Sequence, residues 1–189
     1  AVLQCSSQQP GRRAAESPVV VANLSTSLVV EDAARLNGAR FVRAPVGEAN
    51  VARTIRDEGA VIGGEGNGGV ILPSLHIGRD APVGVALILQ LLATSGLTVS
   101  GLVGEQPRYR IVKAKAPRGN DLAPVYARLL ARFSDAVPDT RDGLRLAWPD
   151  RWVHVRPSGT EPIVRFIAEA PTESGAQALV AVCHELFSS

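Results

Sequence analysis

Methionine is absent from the 189 residues, even at position 1, and of the 20 basic residues only Lys113 and Lys115 are lysines. The opening Ala1-Val2-Leu3-Gln4 leads to the expectation of a chain cut from something longer. The arginine bias reads as genomic, although the planar guanidinium also grips phosphate better than an ammonium does. Cysteine is scarce: Cys5 and Cys183 sit near opposite ends, in no Cys-x-x-Cys or Cys/His spacing, which excludes a disulfide framework and a zinc site. A formal net charge of +2 excludes a polycation, so neither nucleic acid nor a membrane surface is expected as a partner. Long apolar runs are missing too. The longest, Ala81 to Ala93, already contains Gln90 and falls short of the roughly 20 residues of a membrane helix. With no apolar signal region at its start, the chain is expected to be cytoplasmic with free thiols.

What remains, 46% hydrophobic and 20% charged, is an ordinary globular composition sized for one large domain or two small ones. Residues 1–16 read as a tail or linker remnant. Pro18 to Ala22 and Ala39 to Arg43 read as buried strands, and Ser27 to Asn37 as a helix capped by Ser27. Glu48 to Glu58 is a second helix with Val51 and Ile55 on one face, and Ala60 to Ile62 a third strand. Val70 to Leu72 is extended. Asp80 caps a helix running to about Thr94, hydrophobic nearly all round and therefore expected to be buried on several sides. The β-α-β-α-β order predicts a three-layer α/β domain with a mostly parallel mixed sheet over 17–104. A hinge is expected at 105–118, within which Tyr109 to Ala116 alternates like a strand leading into Pro117-Arg118-Gly119. A small α+β domain with an antiparallel sheet follows at 119–189, with too few residues for much core of its own.

Two loops stand out. Gly63-Gly64-Glu65-Gly66-Asn67-Gly68-Gly69 contains G-x-G-x-x-G, but strand-like Val70-Ile71-Leu72-Pro73 follows where a dinucleotide fingerprint needs a helix. The alternatives are a plain turn with Glu65 and Asn67 solvated, or a backbone-permissive loop that something approaches closely. A carboxylate and an amide side by side suit the vicinal hydroxyls of a sugar. The second loop, Arg156-Pro157-Ser158-Gly159-Thr160-Glu161-Pro162, joins strands predicted at Trp152 to Arg156 and Ile163 to Glu169, with Arg165 on the second. If Gly159 takes a positive φ, successive backbone N–H groups form an anion nest, to which Ser158, Thr160 and the Arg156 fork add donors. The bland alternative is a stiff hairpin with Arg156 paired to Glu161. Ser74-Leu75-His76 lacks the spacing and third member of a triad. His154 and His184 read as structural, and Asp139-Thr140-Arg141-Asp142-Gly143 as a turn rather than a metal loop. Both strong motifs bind; no residue has the neighbours of an activated nucleophile.

The run Gly63 to Asp80 and the run Arg156 to Arg165 together resemble the sugar-binding and phosphate-binding loops of the α-D-phosphohexomutase superfamily, in its phosphoglucosamine mutase and phosphomannomutase/phosphoglucomutase branch. The resemblance covers the chain from about Pro18 onward and points to the third and fourth domains of those four-domain isomerases. It implies that Glu65 holds the sugar's 3- and 4-hydroxyls, with Gly66, Asn67 and Glu48 beside it. It implies that Arg156, Ser158, Gly159 and Thr160, supported by Arg165, bind the phosphate that is not reacting. Asn67 stands where many members have serine. The Asn23-Leu24-Ser25-Thr26 stretch lacks a lysine that the mannose and glucose enzymes show nearby, which favours glucosamine phosphate over mannose or glucose phosphates. The family's phosphoserine loop and its Asp-Gly-Asp magnesium loop have no match in these residues. The resemblance therefore implies a phosphoprotein that needs Mg2+, with the metal ligands and the catalytic serine in missing N-terminal domains. On that basis this chain is expected to be the substrate-binding half, inactive alone. A stand-alone sugar-phosphate-binding module is the alternative.

Overall fold

The computed structural model describes residues 17–119 and 121–188. The tail expected at 1–16, with Cys5, lies outside them. The described chain falls into two compact units, one ending at Pro107 and the other beginning at Arg108.

In the first unit the elements run β1 (Val19–Asn23), α1 (Leu28–Leu36), β2 (Arg40–Ala44), α2 (Glu48–Asp57), β3 (Ile62–Glu65), β4 (Gly69–Ile71), α3 (Ala81–Ser95) and α4 (Val99–Gly104). The sheet order is β2-β1-β3-β4. β1 pairs in parallel with both β2 and β3, while β4 turns back antiparallel to β3. Alternation along β1 feeds two cores. Val19 and Val21 pack with Val51 and Ile55 of α2, and Val20 packs with Ala34 of α1 and with Ile62. Helix, sheet and helix form the three layers expected from the sequence. Val51 and Ile55 are fully buried, each contributing about 1.5–3 kcal/mol of transfer free energy. Both predicted caps are made: Ser27 Oγ accepts from Val29 N, and Asp80 Oδ1 accepts from Val83 N.

One expectation fails here. Within α3 only Val83 is buried, whereas Val85, Ile88 and Leu89 are each more than half exposed. The helix meets the sheet along its short edge strand, where Gly84 approaches Val70. Leu87, Leu91 and Leu92 are half-buried, and the described residues cover little of the remaining apolar surface.

The second unit comprises β5 (Arg110–Pro117), α5 (Ala123–Arg132), β6 (Val137–Asp139), β7 (Leu144–Ala147), β8 (Trp152–Pro157), β9 (Ile163–Ala170) and α6 (Glu173–Ser188). The order is β5-β9-β8-β7-β6, antiparallel throughout. β5 pairs with β9 along its whole length, from Arg110 opposite Ala170 to Pro117 opposite Ile163. The alternation read over Tyr109 to Ala116 is therefore this strand, inside the segment expected as a hinge. The expectation of a thin core is corrected. Phe166, Ala168, Val153, Val155, Leu144 and Leu146 share one face of the sheet, and both helices close over it with Leu129, Ala176 and Cys183. Because every strand is antiparallel, one face can be wholly apolar while the other carries the polar set. Arg156, Arg165 and Lys115 stand on that other face.

Candidate binding site

In the first unit Glu65 ends β3, and its side chain is 6% exposed. Its Oε1 accepts from Asn23 Nδ2 at 2.9 Å and from the Gly47 amide at 3.2 Å. Asn23 is itself fully committed: its Oδ1 accepts from Ser25 N and from Thr26 Oγ1. Arg43, at the end of β2, donates to Thr26 O at 2.9 Å and pairs with Glu31, bracing that turn from below. A carboxylate held by donors that are held in turn cannot swing, so its second oxygen, Oε2, keeps a fixed direction for further donors. Arg79 Nη1 lies 3.8 Å from this Oε2.

Glu48 opens α2 and binds Arg79 twice. Its Oε1 accepts from the Arg79 amide at 3.0 Å, and its Oε2 from Nε at 2.8 Å. The backbone bond first, and then the guanidinium bond, hold the Glu48 carboxyl below the usual carboxylate range. Gly66 passes so close to the Asn23–Thr26 turn that a Cβ there would come within 3.2 Å of Thr26 Cα. Asn67 turns partly inward: its Oδ1 accepts from Gly69 N at 3.2 Å and closes the hairpin. The structure thus brings Glu65 and Glu48 together around Arg79, seats Gly66 against the Asn23–Thr26 turn, and gives Asn67 a turn-closing bond as well as an exposed position.

In the second unit β8 and β9 flank the other loop, and Arg156 lies directly opposite Arg165. Lys115 of β5 stands opposite Arg165 on its other side. Three cations in one row across three strands repel one another unless something neutralises them. Arg156 Nε donates to Asp142 Oδ2 at 3.0 Å, and Arg165 Nη2 pairs with Glu161 Oε2. The Arg156–Glu161 pair considered from the sequence is therefore not the one formed. Lys115, exposed, has no carboxylate partner among the described residues.

Ser158 is buried, its amide donates to Ile163 O, and its Oγ accepts from Thr160 N at 3.4 Å and from Arg165 Nη2 at 3.5 Å. Gly159 does not have the positive φ expected of a nest. The loop closes through Ser158 instead, so the tip needs no left-handed residue. Four of the five predicted residues thus lie on or beside one cationic row, and Gly159 sits at the tip with nothing near the place of a Cβ.

Among the described residues no three His, Cys, Asp or Glu side chains converge as a metal site. The carboxylates of the Asp139–Gly143 turn are engaged by Arg141 and Arg156. The residues present do not fit a bound magnesium ion. No described helix is long and apolar enough to cross a membrane.

Two family models account for this arrangement. The one described as phosphoglucomutase/phosphomannomutase, alpha/beta/alpha domain III matches residues 2–109, and the one described as phosphoglucomutase/phosphomannomutase, C-terminal domain matches residues 112–185. The chain belongs to the α-D-phosphohexomutase superfamily. It carries the superfamily's C-terminal half.

A relative from Methanopyrus kandleri, named "Probable phosphoglucosamine mutase", is 40% identical over 85% of this chain and 36% of its own length. One from Thermococcus kodakarensis, named "Phosphoglucomutase/phosphomannomutase", is 39% identical over 84% of the chain and 35% of its own. The chain thus spans a little over a third of these relatives. A solved phosphoglucomutase/phosphomannomutase family protein from Burkholderia thailandensis shares the fold, with TM-score 0.76 and 20% identity over 98% of this chain and 39% of that one.

Sequence reasoning passed over Asn23 and Arg79 beside the first loop, and Asp142 and Lys115 beside the second. Asn23 was visible as a polar residue ending an apolar strand, and Arg79 as the residue before a helix cap. The register that aligns Lys115, Arg165 and Arg156 leaves no local mark in the sequence.

Proposed function

We propose that the chain is the substrate-holding part of a mutase that interconverts hexose 6-phosphate and hexose 1-phosphate through a bisphosphate, with glucosamine phosphate as the substrate. The observation that carries this reading is a complementary pair of loops. One presents a carboxylate fixed by two donors, and the other presents two opposed guanidinium groups with hydroxyl donors between them. Glu65 Oε2, which Asn23 and Gly47 leave for further donors, accepts from the 3- and 4-hydroxyls of the sugar, and Glu48, Gly66 and Asn67 line the approach. Arg156, Ser158, Thr160 and Arg165 receive the phosphate that is not reacting, where charge-assisted bonds supply most of the affinity. Lys115 adds to the cationic field.

Nothing in this chain attacks phosphorus. The transferred group, its serine carrier and the magnesium ion belong to preceding domains, and the chain by itself turns over no substrate. An amino sugar is favoured by the relatives named for phosphoglucosamine and by the absence of a lysine around Asn23. Mannose or glucose phosphate is the second reading, favoured by the relative named phosphoglucomutase/phosphomannomutase.

The test is titration with Glu65→Ala. Loss of a charged acceptor for two hydroxyls should weaken glucosamine 6-phosphate by about tenfold to a hundredfold while leaving inorganic phosphate binding intact. Equal loss for both ligands would make the glycine loop a structural element only. Mutase turnover by the pure 189-residue chain would overturn the assignment of chemistry to other domains.

A further inference from the structure

The turn Asp139-Thr140-Arg141-Asp142-Gly143, whose carboxylates are engaged by Arg141 and Arg156, is built against the phosphate loop with unusual closeness. Gly143 has φ +77°, and a Cβ there would lie 2.5 Å from Val155 O and 2.7 Å from Arg156 Cβ. His154 Nε2 meets Asp142 O at 2.6 Å. The β7–β8 ladder begins at the next pair, Leu144 opposite Val155. The Asp142 backbone is therefore fixed on both sides, and its carboxylate meets Arg156 with each side chain less than a fifth exposed.

We propose that Asp142 is a positioning residue for anion recognition: it holds the Arg156 guanidinium by its Nε edge and leaves the two terminal nitrogens to meet a phosphate. This rests on the reading of Arg156 as a phosphate ligand. A carboxylate beside a phosphate-binding arginine has two opposed effects. It lowers the local positive charge, which weakens anion binding, and it fixes a long flexible side chain in one orientation, which strengthens it. Which effect wins depends on the edge engaged. A guanidinium has five N–H donors, and the fork best suited to phosphate is formed by the Nη groups. Asp142 takes Nε and leaves that fork open. Arg165 shows the contrary arrangement, because Glu161 occupies its Nη2. Asp142 orients; Glu161 competes.

The experiment titrates the 189-residue chain with glucosamine 6-phosphate and with glucosamine. The variants are Asp142→Ala, Asp142→Asn, Arg156→Ala and the double variant Asp142→Ala/Arg156→Ala, each checked by thermal melting. Asp142→Ala should weaken glucosamine 6-phosphate about tenfold, and Asp142→Asn about threefold, because an amide oxygen still accepts from Nε. Neither should change glucosamine binding. In the Arg156→Ala background, Asp142→Ala should cost nothing more. If Asp142→Ala fails to fold, the threefold loss in Asp142→Asn and its absence beside Arg156→Ala carry the test. Unchanged or tighter binding in the Asp142 variants, or a loss that persists without Arg156, would overturn the proposal. Full phosphate affinity in Arg156→Ala would remove the reading beneath it, a result distinguishable from failure of Asp142 alone.

Discussion

His154 offers a prediction whose size follows from its surroundings. The ring is fully buried in β8 and its Nε2–H donates to Asp142 O. Burial, reinforced by the Arg156 and Arg145 guanidinium groups, pushes its pKa down from 6.5 to about 4, against the smaller opposing pull of Asp142. The folded protein therefore keeps a neutral imidazole at pH values where the unfolded chain has already bound a proton. This contribution to stability is intact above pH 6.5, falls as pH drops toward 4, and changes no further below that. At about 1.36 kcal/mol per pH unit, the loss between pH 7.5 and pH 5 is about 2 kcal/mol, to order of magnitude. Urea unfolding at both pH values, for the wild type and for His154→Gln, isolates this effect from the titration of carboxylates. The variant starts less stable at pH 7.5, since it disturbs a packed site, but it should lose about 2 kcal/mol less than the wild type on acidification. Equal acid sensitivity in the two proteins would refute the neutral, proton-donating histidine on which the Asp142 turn rests.

Gly143→Ala should destabilise the chain by about 3 kcal/mol, combining a left-handed backbone with a Cβ driven against Val155 O, as read from denaturation midpoints. A change below about 0.5 kcal/mol would show that the turn can move away from β8. Cys183 lies buried among the core residues of α6, and burial pushes its thiol up to about 12. In a Cys5→Ser background it should resist a disulfide reagent under native conditions and react on unfolding, with labelling followed by absorbance; rapid native labelling would contradict the core packing.

The sequence was most legible where the physics is local. Ser27 and Asp80 cap the helices they precede, and Val51 and Ile55 face a core, because caps and helical periodicity act within a few residues. The glycine run was separable from a dinucleotide loop because Val70-Ile71-Leu72 continues as a strand, and β4 is indeed antiparallel to β3. What escaped depends on contacts between distant segments. Asn23 reaches Glu65, Glu48 reaches Arg79, and Asp142 reaches Arg156. Each partner looks like an ordinary strand-end or turn residue in its own neighbourhood. The apolar surface of α3 misled in the opposite sense. Its composition predicts burial, but composition cannot say which surface does the covering, and among the described residues little does. Gly159 was credited with a backbone role that Ser158 performs through its hydroxyl.

The central claim is that one loop reads hydroxyls and the other reads phosphate. Calorimetric titration of the 189-residue chain with glucosamine 6-phosphate, comparing wild type and Arg156→Ala against free glucosamine, tests it most directly. Arg156→Ala should weaken glucosamine 6-phosphate by tenfold or more, on the order of 1.4 kcal/mol at least, and leave glucosamine unchanged. Equal weakening of both ligands, or no weakening of the phosphorylated one, would contradict it.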